Sequence, residues 1–156
     1  MKPFFHTLLL AIILSSSLCL SIASAQNKPN LSGTWKMNPS KSKLSSPDDH
    51  DLLTIKFEHK GATLKEAFTV LSEGHEHTFE LEYTIDGQKH EQEIDDVDGQ
   101  TMAQWDGDAL VLRWEIEGDI VQRKITLSTD GKVLTMNVRY TRQTSETNET
   151  VVFDKQ

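Results

Sequence analysis

Arg123 stands in a run whose alternate positions, Val121, Ile125 and Leu127, are apolar. A β-strand puts alternate residues on one face. The guanidinium is therefore expected among apolar neighbours, where it must be paired or must meet a ligand. Two chemistries follow. It could anchor a ligand carboxylate or phosphate, or it could be structural, stacked on Trp114 or paired with an acid such as Glu66. His75-Glu76-His77 sets two imidazoles on one side of a strand, with His90 and Asp96 beyond it. Imidazole pairs bind metals and move protons. These two histidines flank a Glu73-Gly74 turn, however, so a solvated rim is the plainer reading and no metal site is assigned. Glu66 with a histidine could act as acid and base. Yet the chain has no Gly-X-Ser-X-Gly elbow, phosphate loop or dinucleotide fingerprint. No catalytic residue and no cofactor is assigned, and an enzyme is the less favoured reading.

The elements that must position these groups are strands. From Leu52 onward the chain alternates in polarity and shows no sustained helical period. Glycine beside a polar residue recurs at Lys60-Gly61, Glu73-Gly74, Asp86-Gly87, Asp98-Gly99, Asp106-Gly107, Gly118-Asp119 and Asp130-Gly131. Tight hairpins need such residues because their turns require positive φ. Taken as two-residue hairpins, these turns fix a register. It sets Phe57 opposite Leu64, Phe68 opposite Phe79, Tyr83 opposite His90, Ile94 opposite Ala103, Trp114 opposite Arg123, and Ile125 opposite Met136. One face then stays mainly apolar throughout. The other carries residues such as Lys56, Glu58, Glu80, Glu82, Glu91, Glu93, Lys124 and Arg139. With residues 31–37 in front, this is an all-β, antiparallel up-and-down meander of about ten strands. A sheet of that size with one apolar face must close on itself. Residues 149–154 are expected to close against the first strand.

The first 25 residues read as a secretory signal peptide: Lys2, an apolar run from Leu8 to Leu14, then Ala23-Ser24-Ala25. Cleavage near Ala25 leaves residues 26–156 as one barrel domain, secreted or periplasmic. Leu18 before Cys19 is a poor fit to a lipidation site. The one cysteine leaves with the signal, so disulfides and thiol chemistry are excluded from the mature chain. No second apolar run is long enough for a membrane span. The whole chain has a formal net charge of -8, a poor match to nucleic-acid binding, which needs a concentrated positive field, and no nucleic-acid partner is expected.

Gly33-Thr34-Trp35-Lys36, opening an all-β meander, resembles the Gly-X-Trp start of the lipocalin and fatty-acid-binding (calycin) barrels. That segment, extended through Asn38-Pro39 with Lys41-Ser42-Lys43, also resembles a group of secreted bacterial lipocalin-like proteins. So do Trp105-Asp106-Gly107-Asp108-Ala109-Leu110 and the stretch from Leu127-Ser128 to Val133-Leu134. The resemblance implies a calycin-like barrel with a general binding role. It also implies that Trp35 closes the barrel bottom under a basic side chain, for which Arg139 or Arg142 are available. The chain departs from fatty-acid-binding proteins in three places. Residues 38–51 hold two prolines and no helical period, so no helical lid is expected. Val151-Val152-Phe153 stands where those proteins carry a carboxylate-binding Arg-X-Tyr, and Trp114 stands where they carry another arginine.

A barrel of about ten strands is wide enough to enclose a cavity. Its expected lining is largely apolar and aromatic: Phe68, Phe79, Leu81, Leu112, Trp114 and Met136. Convergent polar groups stand among them: Glu66, Tyr83, His90, Gln92, Arg123 and Tyr140. Apolar walls with a few placed polar groups are the usual anatomy of a small-molecule site. The expected partner is a small hydrophobic or amphipathic molecule, and no protein partner is predicted. The alternative is a barrel filled by its own side chains, serving as a ligand-free structural or interaction domain.

Overall fold

The structure is a computed structural model that describes residues 28–45, 52–72, 74–94 and 96–156. Residues 1–27, on which the expected signal peptide falls, and residues 46–51 of the first connection lie outside the described residues. Ten antiparallel strands form one sheet: β1 (Gly33–Met37), β2 (Leu52–Lys60), β3 (Thr63–Ser72), β4 (His75–Thr84), β5 (Lys89–Ile94), β6 (Val97–Asp106), β7 (Ala109–Ile116), β8 (Asp119–Leu127), β9 (Val133–Arg142) and β10 (Ser145–Lys155). Each strand pairs with its sequence neighbour except β4 with β5, and β10 pairs with β1. The result is a nearly closed barrel. Among the described residues the helical content is one short 3₁₀ turn, Pro39–Lys41, so a lid is absent there.

Residues 38–45 run as an irregular arm along β10. Asn38 N–H donates to the Val152 carbonyl (2.8 Å), and Lys43 exchanges both backbone hydrogen bonds with Thr150 (2.7 and 2.9 Å). The Val152 N–H donates to Ser42 Oγ at 2.9 Å. The arm prolongs the short β1 and satisfies part of the β10 edge that β1 leaves open.

Of the seven expected turns, the hairpin register is right in two and displaced in three, and two hairpins are not formed as expected. Val70 pairs with His77 and Phe68 with Phe79, as expected, and Ile125 pairs with Met136. At Lys60-Gly61 the loop is instead Gly61-Ala62, so Phe57 faces Glu66. At Asp106-Gly107 it is Gly107-Asp108. At Gly118-Asp119 it is Glu117-Gly118, which brings Leu112, not Trp114, opposite Arg123. The physical reason is that a glycine frees one φ without saying whether its loop partner precedes or follows it. In the last case both loop residues carry positive φ, 50° for Glu117 and 88° for Gly118, as a type I′ turn requires. Each displacement re-pairs strands by an even number of residues, so every side chain keeps its expected face.

Two larger corrections concern β5 and β6. Asp98-Gly99 is no turn: Ile94 pairs with Val97, and Asp96 takes the positive φ of 63°. Gly99 lies inside β6, where a Cβ would sit 2.9 Å from the Glu115 carbonyl oxygen and 3.0 Å from Ile94 Cδ1. Close approach, not turning, explains that glycine. The expected Tyr83–His90 pairing is also absent. At the end of β4 the chain crosses to β6, with Ile85 bridging Ala103 and Gly87 N–H donating to the Ala103 carbonyl at 2.9 Å.

A β4–β5 hairpin in the expected register would have set Glu82 opposite Glu91 and Glu80 opposite Glu93 on the outer face. Like charges directly opposite are destabilising. The carboxylates turn to their own sides instead: Glu82 to Lys65 (3.3 Å), and Glu91 to Gln100 Nε2 (2.7 Å). Side chains stitch the resulting seam. The Glu82 N–H donates to Gln92 Oε1 at 3.0 Å, and Thr101 Oγ1 donates to the Glu82 carbonyl at 3.4 Å.

Candidate functional site

The lower half of the barrel is solid. Phe57, Leu64, Leu110, Ile125, Leu134 and Phe153 are fully buried around Trp35, which has no exposure at all. The Trp35 indole N–H donates to the Leu31 carbonyl at 3.0 Å, which satisfies its one polar group. The basic side chain above it is Lys155, with Nζ 5.2 Å from the ring centroid. Arg139 and Arg142 do not take that place; they lie outside, at Glu146 and Asp119. Lys155 wins because β10 runs antiparallel to β1 and ends with Lys155 paired to Trp35. Gly33 makes room for it, since a Cβ there would meet Lys155 Cε at 2.9 Å.

Above this floor a charged network crosses the barrel. Arg123 on β8 reaches Glu66 on β3 through two contacts, Nη1 to Oε1 at 2.5 Å and Nη2 to Oε2 at 2.6 Å. Its Nη2 also donates to the Tyr83 hydroxyl on β4 at 2.7 Å. All three are buried. A two-pronged arginine–carboxylate pair is the strongest ordinary side-chain contact and the arrangement a buried charge requires. Burial works against the charged guanidinium, but Glu66 and Tyr83 outweigh it and hold Arg123 above its ordinary value. Burial raises the Tyr83 phenol well above the usual range, with Arg123 opposing and Glu66 adding. Because the folded value lies above the unfolded one, this contribution to stability is complete below the ordinary phenol value of about 10 and is lost as pH rises beyond it. Urea midpoints should therefore fall from pH 10 to pH 11.5 in the wild type and fall less in Tyr83→Phe. Equal slopes in the two proteins would refute that assignment.

The upper half is less filled. Phe68 and Phe79 stack with ring centroids 5.0 Å apart and an interplanar angle of 19°, both only partly buried. Across from them a depression of about 560 Å³ opens at the mouth, lined on its inner side by Trp114, Val121, Tyr140, Thr147 and Glu149. Val121 is the inward residue next above Arg123 on β8. Glu149 is buried and accepts hydrogen bonds from Ser45, through its N–H at 3.2 Å and through its hydroxyl. Burial raises the Tyr140 phenol, with Glu149 adding and Arg123 opposing, so both charges act on this wall.

Ten of the twelve sequence-derived site residues separate into three groups. Leu81, Leu112 and Met136 belong to the solid core, at 3% exposure or less. Glu66, Tyr83 and Arg123 form the cross-barrel network. Phe68, Phe79, Trp114 and Tyr140 stand in the upper half, Tyr140 at 39% exposure. Two residues expected to point into a cavity are engaged elsewhere. His90 pairs with Asp86 (Nε2 to Oδ2, 3.0 Å) at the end of β4, and Gln92 bridges the seam. The expected stacking of Arg123 on Trp114 gives way to Glu66, for the register reason above. His75 and His77 are exposed. Among the described residues no group of three or more metal-ligating side chains converges. Glu149 and Ser45 were missed. The signal was available: Glu149 shares the alternation of Val151 and Phe153, and so faces inward.

Ten strands in meander order, closed β10 to β1 with one open seam, decide the fold. The fold is a calycin-type barrel. Solved structures share it. A secretory abundant heat soluble protein from Ramazzottius varieornatus superposes with a TM-score of 0.59 at 8% identity, covering 80% of this chain and 94% of that one. Fatty-acid-binding protein 1 from Echinococcus granulosus gives 0.55 at 13% identity, covering 80% and 96%. Secretory abundant heat soluble protein 4 from Ramazzottius varieornatus gives 0.56 at 16%, covering 85% and 99%. No protein-family profile and no curated protein sequence matches the chain. At these identities the likeness concerns the calycin barrel alone.

Proposed function

We propose that this calycin barrel binds a small apolar or amphipathic molecule in its upper half, as a secreted or periplasmic carrier. The observation that carries the reading is the mouth depression of about 560 Å³, with Trp114, Val121 and Tyr140 on its wall above a sealed floor. Its size falls within the range of small-molecule sites, and its aromatic wall supplies apolar contact at low entropic cost. Fatty-acid-binding barrels among the structural neighbours support a hydrophobic ligand. The signal pattern of residues 1–25 supports secretion.

The test uses N-phenyl-1-naphthylamine, an uncharged apolar probe that fluoresces on leaving water. The purified protein should take it up saturably. Trp114→Ala should weaken uptake about tenfold, the loss of roughly 1.4 kcal/mol of contact. No saturable uptake by the folded wild type would refute the reading, as would a Trp114→Ala protein that binds unchanged. The solid lower half favours a second reading, a ligand-free structural barrel, and that negative result would be its signature.

A further inference from the structure

Resting on that reading, we infer that Glu66 is a built-in carboxylate that fills the anion seat of the barrel, so that the ligand is an uncharged amphiphile and fatty-acid anions are rejected. The seat is defined by its donors. Arg123 Nη1 and Nη2 point from β8 at the two Glu66 oxygens, at 2.5 and 2.6 Å, and Nη2 also donates to the Tyr83 hydroxyl on β4 at 2.7 Å. This is the geometry by which a guanidinium takes any carboxylate. Here the carboxylate is supplied by β3 of the same chain.

The consequence for a ligand is electrostatic. A carboxylate brought to Arg123 must displace Glu66, leaving a buried anion unpaired, or must sit beside it as a second like charge. Either route opposes binding. Glu149, buried on the same side of the barrel as Tyr140, adds a second acidic group to that wall, and the basic residue at its rim, Arg142, is turned to Asp119 at 2.7 Å. What Arg123 still offers is narrower. Its Nε–H is buried and has no hydrogen-bond partner among the described residues, although the residue is only 6% exposed. One remaining N–H donor suits a single neutral acceptor oxygen, such as that of an alcohol or ester. It cannot satisfy the two oxygens of a carboxylate.

Dodecan-1-ol and dodecanoate have the same chain length and differ in the charge of the head. At pH 8 the acid is ionised. Both are titrated, below their aggregation limits, against the protein loaded with N-phenyl-1-naphthylamine. The wild type should release the probe to dodecan-1-ol at about tenfold lower concentration than to dodecanoate. Glu66→Gln keeps the size and one acceptor oxygen but empties the seat of charge, so the preference should reverse. Dodecanoate should also raise the thermal midpoint of Glu66→Gln while leaving that of the wild type unmoved.

A wild type that takes dodecanoate as readily as dodecan-1-ol overturns the inference, whether or not the variant folds, and leaves the carrier reading intact because the probe is still displaced. A folded Glu66→Gln that gains nothing for dodecanoate overturns it as well. Absence of probe uptake by the wild type sinks the carrier reading itself.

Discussion

Arg123→Met should lower the unfolding free energy by about 3–5 kcal/mol in urea denaturation, more than removal of the whole ion pair. Methionine replaces the buried stem but leaves the Glu66 carboxylate in an apolar interior with no cation, and breaking one side of a buried pair has that magnitude. Glu66 is 2% exposed, so water cannot repair the loss. In the double variant Glu66→Gln/Arg123→Met no charge is stranded, and its stability should exceed that of Arg123→Met alone. The coupling between the two sites should therefore be large and favourable, as expected for groups in direct contact. Strictly additive losses would mean that the two side chains do not meet in solution. The double variant also guards against a trivial outcome: if Arg123→Met fails to accumulate as folded protein, recovery by the second substitution still reports the pair.

Trp35→Ala should cost a similar amount, about 3–5 kcal/mol, by a different route. The indole is fully buried where β1, β2 and β10 meet, paired across the backbone with Ile55 and Lys155. Its removal leaves a cavity in the layer that seals the bottom and frees the Leu31 carbonyl that the indole N–H had satisfied. Lys155→Met is the matched control. It removes only the ammonium above the ring, and an exposed cation–π contact contributes about 0.5–1 kcal/mol. A Trp35→Ala protein within 1 kcal/mol of the wild type would show that the bottom of the barrel is not closed by this side chain.

The strands, the faces and the closure could be read from the sequence because they depend on parity. Alternation survives any re-pairing by an even number of residues, so Phe57, Leu112 and Met136 face inward although several hairpins are shifted. Glu66 could be named as a candidate partner of Arg123 but not chosen over Trp114, because it lies 57 residues away on the opposite wall. Hairpins specify only neighbours, whereas contacts across a barrel depend on tilt and on how the ends close. The seam was legible and was missed: glutamates at positions 80, 82, 91 and 93 are in the sequence, and writing them out in the expected register would have shown the clash. The role of Lys155 follows only once the C-terminal strand is known to end beside Trp35.

The seam also has a consequence for the molecule's surroundings. Glu80 and Glu82 on one edge and Glu91 and Glu93 on the other set negative charge along it, and repulsion between solvent-facing groups fades beyond about 8–10 Å at physiological ionic strength. In dilute buffer the strands bordering it stand under the greatest mutual repulsion. Added electrolyte relaxes that repulsion without touching the core, so the charges bordering this slit answer to the solution, whereas the Gln92 and Thr101 hydrogen bonds across it do not.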